Sequence, residues 1–283
     1  MSWRLEVVHT TGMKYLSPVT VSFNEVRMTP ADVYGQLLIN HDLKITPTAR
    51  VQAYVDYWGT LVEAFDVHDS HTTLEVVSRN VVDTPSPRPL PEGMPWEVLR
   101  GREVSDVWCE FLRPSQYVDD SAADSDRREV VDLLRRAPSP SQAIGDALAI
   151  VRDRIRYTPG ATSVSTTAGE AWQHGHGVCQ DMSHVTLSLL RGVGIPARYV
   201  SGYLYSGDGE IGHTCVGESH AWVEVWNGGW FPCDPTNGLD VGEQHVVVAR
   251  GRDYADVTPL KGIYSGGQAE ALGVTVSVTR LPR

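Results

Sequence analysis

Residues Gly175 to Leu204 read GHGVCQDMSHVTLSLLRGVGIPARYVSGYL. Within this stretch Met182, Val185 and Leu189 recur at three- and four-residue intervals, with Leu190 beside them. That spacing predicts a helix with one buried face. Gly192 and Gly194 end it, Pro196 prevents its resumption, and Ala197–Leu204 then reads as a strand. Cys179 falls at or just inside the helix N-terminus. Unpaired backbone N–H groups and the helix dipole stabilise an anion there, which favours a thiolate. A buried structural cysteine is the alternative reading of the same position.

The surrounding chain narrows the classes of function. Its 283 residues suit two domains, or one large domain with an extension. With 41% hydrophobic and 21% charged residues it can build cores and does not read as disordered. A formal net charge of -11 with no basic stretch argues against a nucleic-acid partner. No apolar run is long enough to span a bilayer, and MSWRLEVVHTTGMKY lacks the pattern of a secretory signal. The four cysteines, Cys109, Cys179, Cys215 and Cys233, form no C-x-x-C pair. Free thiols in a reducing cytoplasm are therefore expected, without a disulfide scaffold, metal or cofactor.

Residues 1–83 read as a β-rich domain of short strands, including Leu5–His9, Thr20–Val26 and Gln36–Ile45, and predict a small antiparallel sandwich. Five prolines in TPSPRPLPEGMPWE (84–97) mark a linker, which leads through a helix starting near Ser125 to residue 139. The six carboxylates between Asp119 and Asp132 read as a solvated helix start. A second unit is expected over 140–283. Its first helix is announced by Ser139 as cap, Pro140 at the first position and Gln142 three residues after the cap. Ile144, Leu148, Val151 and Ile155 line its buried face. The chain closes with strands at Gln244–Ala249 and Leu272–Thr279. The fold class expected is α+β.

The strand Ser219–Trp226 alternates strongly and returns through Asn227-Gly228-Gly229 to Trp230–Asp234. If Trp226 and Trp230 close this hairpin, Trp222 lies opposite Asp234 and His220 is its diagonal neighbour on the same face. A cysteine at a helix start plus a histidine oriented by a carboxylate is what nucleophilic acyl transfer needs. Cys179 would attack a carbonyl, His220 would protonate the leaving amine, and Asp234 would orient the imidazole. The N–H of Cys179 is the natural oxyanion donor, with Trp172 and Gln180 as further contributors. Asp181 is expected to accept hydrogen bonds at the helix start or to contact a substrate amine, and Trp222 to wall the cleft or pack. Two other readings stay open at this point. His220 and Asp234 can be a satisfied pair in a sheet, and His174, His176, Cys179 and His220 are of the right types for a zinc site, although their spacing matches no strong pattern.

Three blocks, GVCQDMSHVTLSLLRGVGIPARYVSGYL, SHAWVEVW and GWFPCDPTNG, together resemble the bacterial transglutaminase-like family, often described as cysteine proteases. The resemblance implies a papain-like core and carries the family's triad over to Cys179, His220 and Asp234. SPVTVSFNEVRMTP and DYWGTLVEAFDV are similar to the β-rich N-terminal region of the same bacterial proteins. Thr60 stands where asparagine is common, and Met182-Ser183 replace a more usual aromatic and small pair. The implied activity is hydrolysis of a peptide or other amide bond through a thioester. Acyl transfer from a glutamine side chain to an amine is the alternative, and a non-catalytic binding or scaffold protein that kept the fold is a third. The implied partner is a peptide, a protein or a small amide.

Overall fold

The computed structural model describes residues 2–217, 219–238 and 240–283, excepting the side chains at 271 and 272. Five strands open the chain: β1 (Trp3–Val26), β2 (Leu37–Thr46), β3 (Val51–Val55), β4 (Leu61–Val67) and β5 (His71–Thr84). Helices dominate the middle: α1 (Trp96–Leu99), α2 (Arg102–Val107), α3 (Ser125–Leu134), α4 (Pro140–Arg154), α5 (Ala168–His174) and α6 (Cys179–Val193). The short parallel pair β6 (Arg156–Tyr157) and β7 (His176–Gly177) lies among them. There follow β8 (Ala197–Leu204), β9 (Thr214–Gly217), β10 (His220–Trp226), β11 (Trp230–Cys233), β12 (His245–Gly251), α7 (Tyr254–Val257), β13 (Leu260–Gly266) and β14 (Ala269–Leu281).

The first sheet has eight strands and draws on both ends of the chain. β1 is one strand of 24 residues where the sequence predicts two. Its first half pairs with β5 and β14, and its second half with β4 and β13. Pairing with β5 lapses between Lys14 and Val19, so Pro18 removes no ladder donor from that edge. The two arms that β1 connects enclose a core of Tyr15, Val19, Val26, Ile45, Phe65, Leu74 and Val76 among others. The final strand, expected with the second unit, is instead hydrogen-bonded along β1 from Arg4 to Tyr15. β9, which the sequence reads as part of a polar loop and its flank, extends the same sheet through β14.

The second sheet is antiparallel in the order β11-β10-β8-β12. Its hairpin has the predicted register, with Trp226 opposite Trp230 and Val223 opposite Cys233. The alternation in β10 divides its side chains as expected. Ala221, Val223 and Val225 join the main core, while Trp222 packs with Val200 and Val241 on the other face. Glu224 is buried there between Arg198 and Arg250, at 2.7 and 2.9 Å from their Nε atoms. Burial opposes its ionisation, but the two guanidinium groups hold its pKa below the ordinary value.

α6 differs from the amphipathic reading. Every residue but Gly192 is buried, because α3, α4, α5 and the second sheet all pack around it. Even Arg191 is enclosed; its guanidinium donates to the carbonyls of Ala197, Arg113 and Arg252. Each fully buried aliphatic side chain in this helix contributes about 1.5–3 kcal/mol. The element that carries Cys179 is therefore anchored on all sides. Gly194 ends the helix as the sequence predicts, with φ +95° in the left-handed region that glycine adopts without strain, whereas Gly192 lies inside the helix. Ser139 caps α4 as read, its Oγ accepting from the Gln142 N–H at 3.2 Å. α3 is capped one residue earlier than expected, by Asp124, which accepts from the Arg127 N–H at 3.0 Å.

Candidate active site

The linear order of α5, β7 and α6 delivers Cys179 to its position. α5 is opened by a capping box of Thr167 and Glu170 and ends at Gly175 in the left-handed region. β7 then turns the chain directly into α6, with Cys179 as its first helical residue. Asp181 locks this entry. Its Oδ2 accepts from the Val178 N–H at 2.7 Å and from Thr162 Oγ1 at 2.6 Å. Burial raises the Asp181 pKa, partly offset by those bonds. Gly177 is required beside it, since a Cβ there would sit 2.6 Å from Asp181 Cβ. Asp181 is thus the structural cap of the helix entry, the first of its two expected roles.

The second sheet brings His220 and Asp234 together. The predicted hairpin register places them at its open end, where His220 Nε2–H donates to Asp234 Oδ2 at 2.9 Å. The Asp234 carboxylate is heavily coordinated. Its Oδ1 accepts from the N–H groups of Thr236 and Asn237 at 2.8 and 3.2 Å, and its Oδ2 also accepts from Asn237 Nδ2 at 2.9 Å. Burial alone would favour the neutral acid, but these donors and the imidazole hold it well below the usual carboxylate range. Cys179 lines the same two hollows as His220. With Nε2 committed to Asp234, Nδ1 is the nitrogen left to serve a thiol. Burial lowers the His220 pKa, yet the Asp234 carboxylate and the neighbouring Cys179 thiol raise it to about 9.

His245 is a contact the sequence does not reveal. It opens β12, lies buried, and its Nε2 is 3.3 Å from Asp234 Oδ2. The Gly242 N–H points at its Nδ1 at 3.5 Å, which places the proton on Nε2 and makes His245 a second imidazole donor to the carboxylate. Burial lowers its pKa, so it is a neutral ring. The pairing of β12 with β8, on the far side of β10 from β11, creates this contact, although His245 follows Asp234 by only 11 residues. Asn237 lay within reach of sequence reasoning, as the short-range partner in an Asx-type turn after Asp234. The donor atoms of His220, Asp234 and His245 lie within 4.8 Å of one another and are of metal-ligand type. As a ligand set they would have to surrender both imidazole–carboxylate hydrogen bonds.

Cys179 and His220 sit where two hollows meet. One, of about 440 Å³, is walled by Gln180, Thr162, Tyr199 and Ser201 together with His9 and Thr11 of β1. The other, of about 370 Å³, is walled by Tyr157, Leu204, Cys215 and Val216 together with Val276 and Val278 of β14. The first sheet is therefore part of the cleft. Gln180 lines it with its amide tied to the Val164 carbonyl at 3.0 Å. Trp172 and Trp222 line neither hollow. Trp172 lies in the main core, with Arg154 over its ring at 5.0 Å, which removes it from the expected oxyanion contributors. Trp222 is fully buried behind His220, stacked on it at 5.9 Å between ring centroids, so it packs and does not wall the cleft. His174 and His176 stack on each other and line neither hollow, so the alternative zinc set does not converge on Cys179. All four cysteines are free. Burial pushes the Cys233 thiol up to about 12, as befits a small core residue.

Comparison with known proteins gives this arrangement its context. Residues 128–235 match the transglutaminase-like superfamily, and residues 5–83 match the bacterial transglutaminase-like N-terminal region. The chain belongs to the transglutaminase-like superfamily. An uncharacterised protein of Mycobacterium leprae is 44% identical over 280 residues, covering 99% of both chains. A segment covering 38% of this chain is 32% identical to a protein-glutamine gamma-glutamyltransferase of Pseudomonas aeruginosa, covering 18% of that protein. A crystal structure of a candidate cysteine protease from Cytophaga hutchinsonii superposes with a TM-score of 0.78 at 20% identity, over 100% of this chain and 92% of that one. The fold is thus the mixed α/β transglutaminase-like, papain-like one. No helix among the described residues is long and apolar enough to cross a membrane.

Proposed function

We propose that this transglutaminase-like protein hydrolyses a peptide or other amide bond with Cys179 as nucleophile. The observation that carries the reading is the His220 imidazole, fixed on Nε2 by the Asp234 carboxylate, lining the same cleft as the Cys179 thiol at the N-terminus of α6. In this reading His220 takes the thiol proton and becomes an imidazolium, and the sulfur attacks the carbonyl carbon. The C–N bond breaks as His220 returns the proton to the leaving amine, and a thioester remains on Cys179. Water, deprotonated by the same imidazole, attacks the thioester and releases the acid and the thiol. Asp234 keeps the ring in one tautomer and offsets its positive charge. The N–H of Cys179, one of the first-turn groups without an intrahelical acceptor, is the proposed oxyanion donor. The proposed compartment is the cytoplasm, where a reducing environment keeps such thiols free.

A second reading, transfer of the acyl group to an amine, is favoured by one feature: a second hollow reaches the same sulfur and offers room for an acceptor. The name of the Pseudomonas aeruginosa relative points the same way. The test is mass-detected turnover of peptide, glutamine-amide and amine-acceptor substrates by wild type and Cys179→Ala. Cleavage or deamidation that disappears in Cys179→Ala is expected. Cross-linked product would select transfer instead. Equal turnover by both proteins, or none by either alongside ordinary alkylation of Cys179, would leave a non-catalytic binding protein.

A further inference from the structure

Alternate residues of β1 share a face, and the row Leu5, Val7, His9 and Thr11 is buried throughout. Leu5 and Val7 join the main core, whereas His9 and Thr11 border the larger hollow together with Cys179 and His220. The polar groups at this end of the row fix one another's protons. His9 Nδ1 is 2.9 Å from Tyr203 Oη, and His9 Nε2 is 2.9 Å from Thr11 Oγ1. Tyr203 is buried on β8, and the space it shares with His9, Ser201 and Arg27 leaves no room for a water molecule. Among the described residues its phenol has no other hydrogen-bond partner, so the O–H donates to Nδ1. Burial lowers the His9 pKa to about 4, so the ring is neutral and its one proton, on Nε2, is donated to Thr11 Oγ1. Thr11 Oγ1 is thus an acceptor, and its own proton has no acceptor among the described residues.

We infer that Thr11 is a substrate-binding residue whose hydroxyl donates to a second carbonyl, next to the one presented to Cys179, and that His9 is the positioning residue that aims it. The inference rests on the hydrolase reading and narrows its substrate class. A buried hydroxyl proton without an acceptor is unfavourable, and the hollow is the space that Thr11 borders. A carbonyl oxygen entering from the cleft supplies that acceptor. The bond from His9 Nε2–H holds one lone pair of Oγ1 and so restricts the directions left to the O–H. A peptide carries a further carbonyl at each residue, whereas a small amide has one. Among the expected partners this contact selects a peptide or protein. It also makes β1, at the opposite end of the chain from the hairpin of His220 and Asp234, a direct part of the binding surface.

The experiment alkylates Cys179 with two reagent series, the sulfur displacing chloride in each. Neutral peptidyl chloromethyl ketones lay a peptide on one side of the sulfur, and chloroacetyl peptides lay one on the other. Chloroacetone and chloroacetamide, which carry no second carbonyl, normalise the two series. The readout is the ratio of second-order rate constants, peptide reagent over small reagent, followed by intact mass. Wild type is expected to favour the peptide reagent in at least one series. Thr11→Val keeps the side-chain shape without the hydroxyl and should lower that ratio about three- to tenfold, while Thr11→Ser should retain it. His9→Phe should lower it comparably. His9→Gln, whose amide still offers an N–H to Thr11 Oγ1, should keep most of it. Thermal melts establish that each variant is folded, with Thr11→Ala as the second variant should Thr11→Val not fold. No peptide advantage in wild type in either series, or the same ratio in wild type and the folded variant without the hydroxyl, would overturn the inference; so would loss of the ratio in folded Thr11→Ser. The expected pattern of ratios without turnover of any peptide would count against the hydrolase reading alone and would uphold the contact.

Discussion

Replacing Asp234 by Asn tests the centre of the site. The Oδ1 side is fixed by the N–H groups of Thr236 and Asn237, so the carboxamide oxygen must stay there. The new NH2 then occupies the Oδ2 position, facing three former donors: His220 Nε2–H, His245 Nε2–H and Asn237 Nδ2. His220 must give up its Nε2 proton to accept from the amide, and the remaining proton moves to Nδ1, the atom that should receive the thiol proton. The electrostatic part can be sized. The rise of His220 from 6.5 to about 9 corresponds to ~3 kcal/mol of preference for the imidazolium. Burial opposes that rise, and Asp234 and Cys179 produce it together. Assigning about half of it to Asp234 gives ~1.5–2 kcal/mol, or about 10- to 30-fold, before the wrong tautomer is counted. Iodoacetamide alkylation of Cys179 at pH 7, followed by mass, should therefore slow at least about 10-fold, and kcat/KM should fall further.

The same substitution predicts a change in the pH dependence of stability. His220 has a raised pKa, so its contribution is complete below about 6.5 and is lost as pH rises through about 9. Asp234 has a depressed pKa, so its contribution is present above the ordinary carboxylate range and is lost as pH falls below it. Thermal melts of wild type should weaken between pH 6.5 and 9, and Asp234→Asn should be flatter across that interval. Unfolding midpoints measured beside the alkylation rates separate reactivity from folding. An Asp234→Asn protein that is folded, alkylates within threefold of wild type and keeps the wild-type pH profile would refute the reasoning.

Three further outcomes are expected. His245→Phe retains the ring volume and removes one donor to Asp234; loss of one charge-assisted bond, about 1.5–3 kcal/mol when buried, should lower kcat about tenfold with little change in KM, and an unchanged kcat would make His245 a packing residue only. Asp181→Asn keeps an acceptor for the Val178 N–H and Thr162 while removing a carboxylate whose raised pKa makes its ionised form unfavourable above the ordinary range; its Tm at pH 7 should exceed that of wild type, and a lower Tm would mean the charge itself holds the helix entry. Gly194→Ala forces an L-residue to φ +95° at the end of α6 and should cost ~1–2 kcal/mol in urea unfolding with the m-value unchanged, whereas no loss would mean the helix end re-forms elsewhere.

Local chemistry was enough to place much of this molecule from its sequence. The helix from Cys179, its stop at Gly194, the Ser139-Pro140 cap and the Asn227-Gly228-Gly229 turn act over a few residues, and the structure realises each of them; Gly192, also read as a stop, lies inside the helix. Because strand alternation has period two, a hairpin register once guessed carries His220 and Asp234 with it. What lay beyond reach involved partners far apart in the chain. Pairing of β14 and β9 with the first sheet, the burial of Ser188 and Arg191 on the nominally polar side of α6, and the exclusion of Trp172 from the cleft all depend on which surfaces meet. Periodicity reports that a face is apolar and not what covers it, so long-range packing decided these. Cys179, His220 and Asp234 were legible because their backbone settings are local, while His245 depended on the pairing of β12 with β8, and the walls of the cleft on a first sheet whose strands come from opposite ends of the chain.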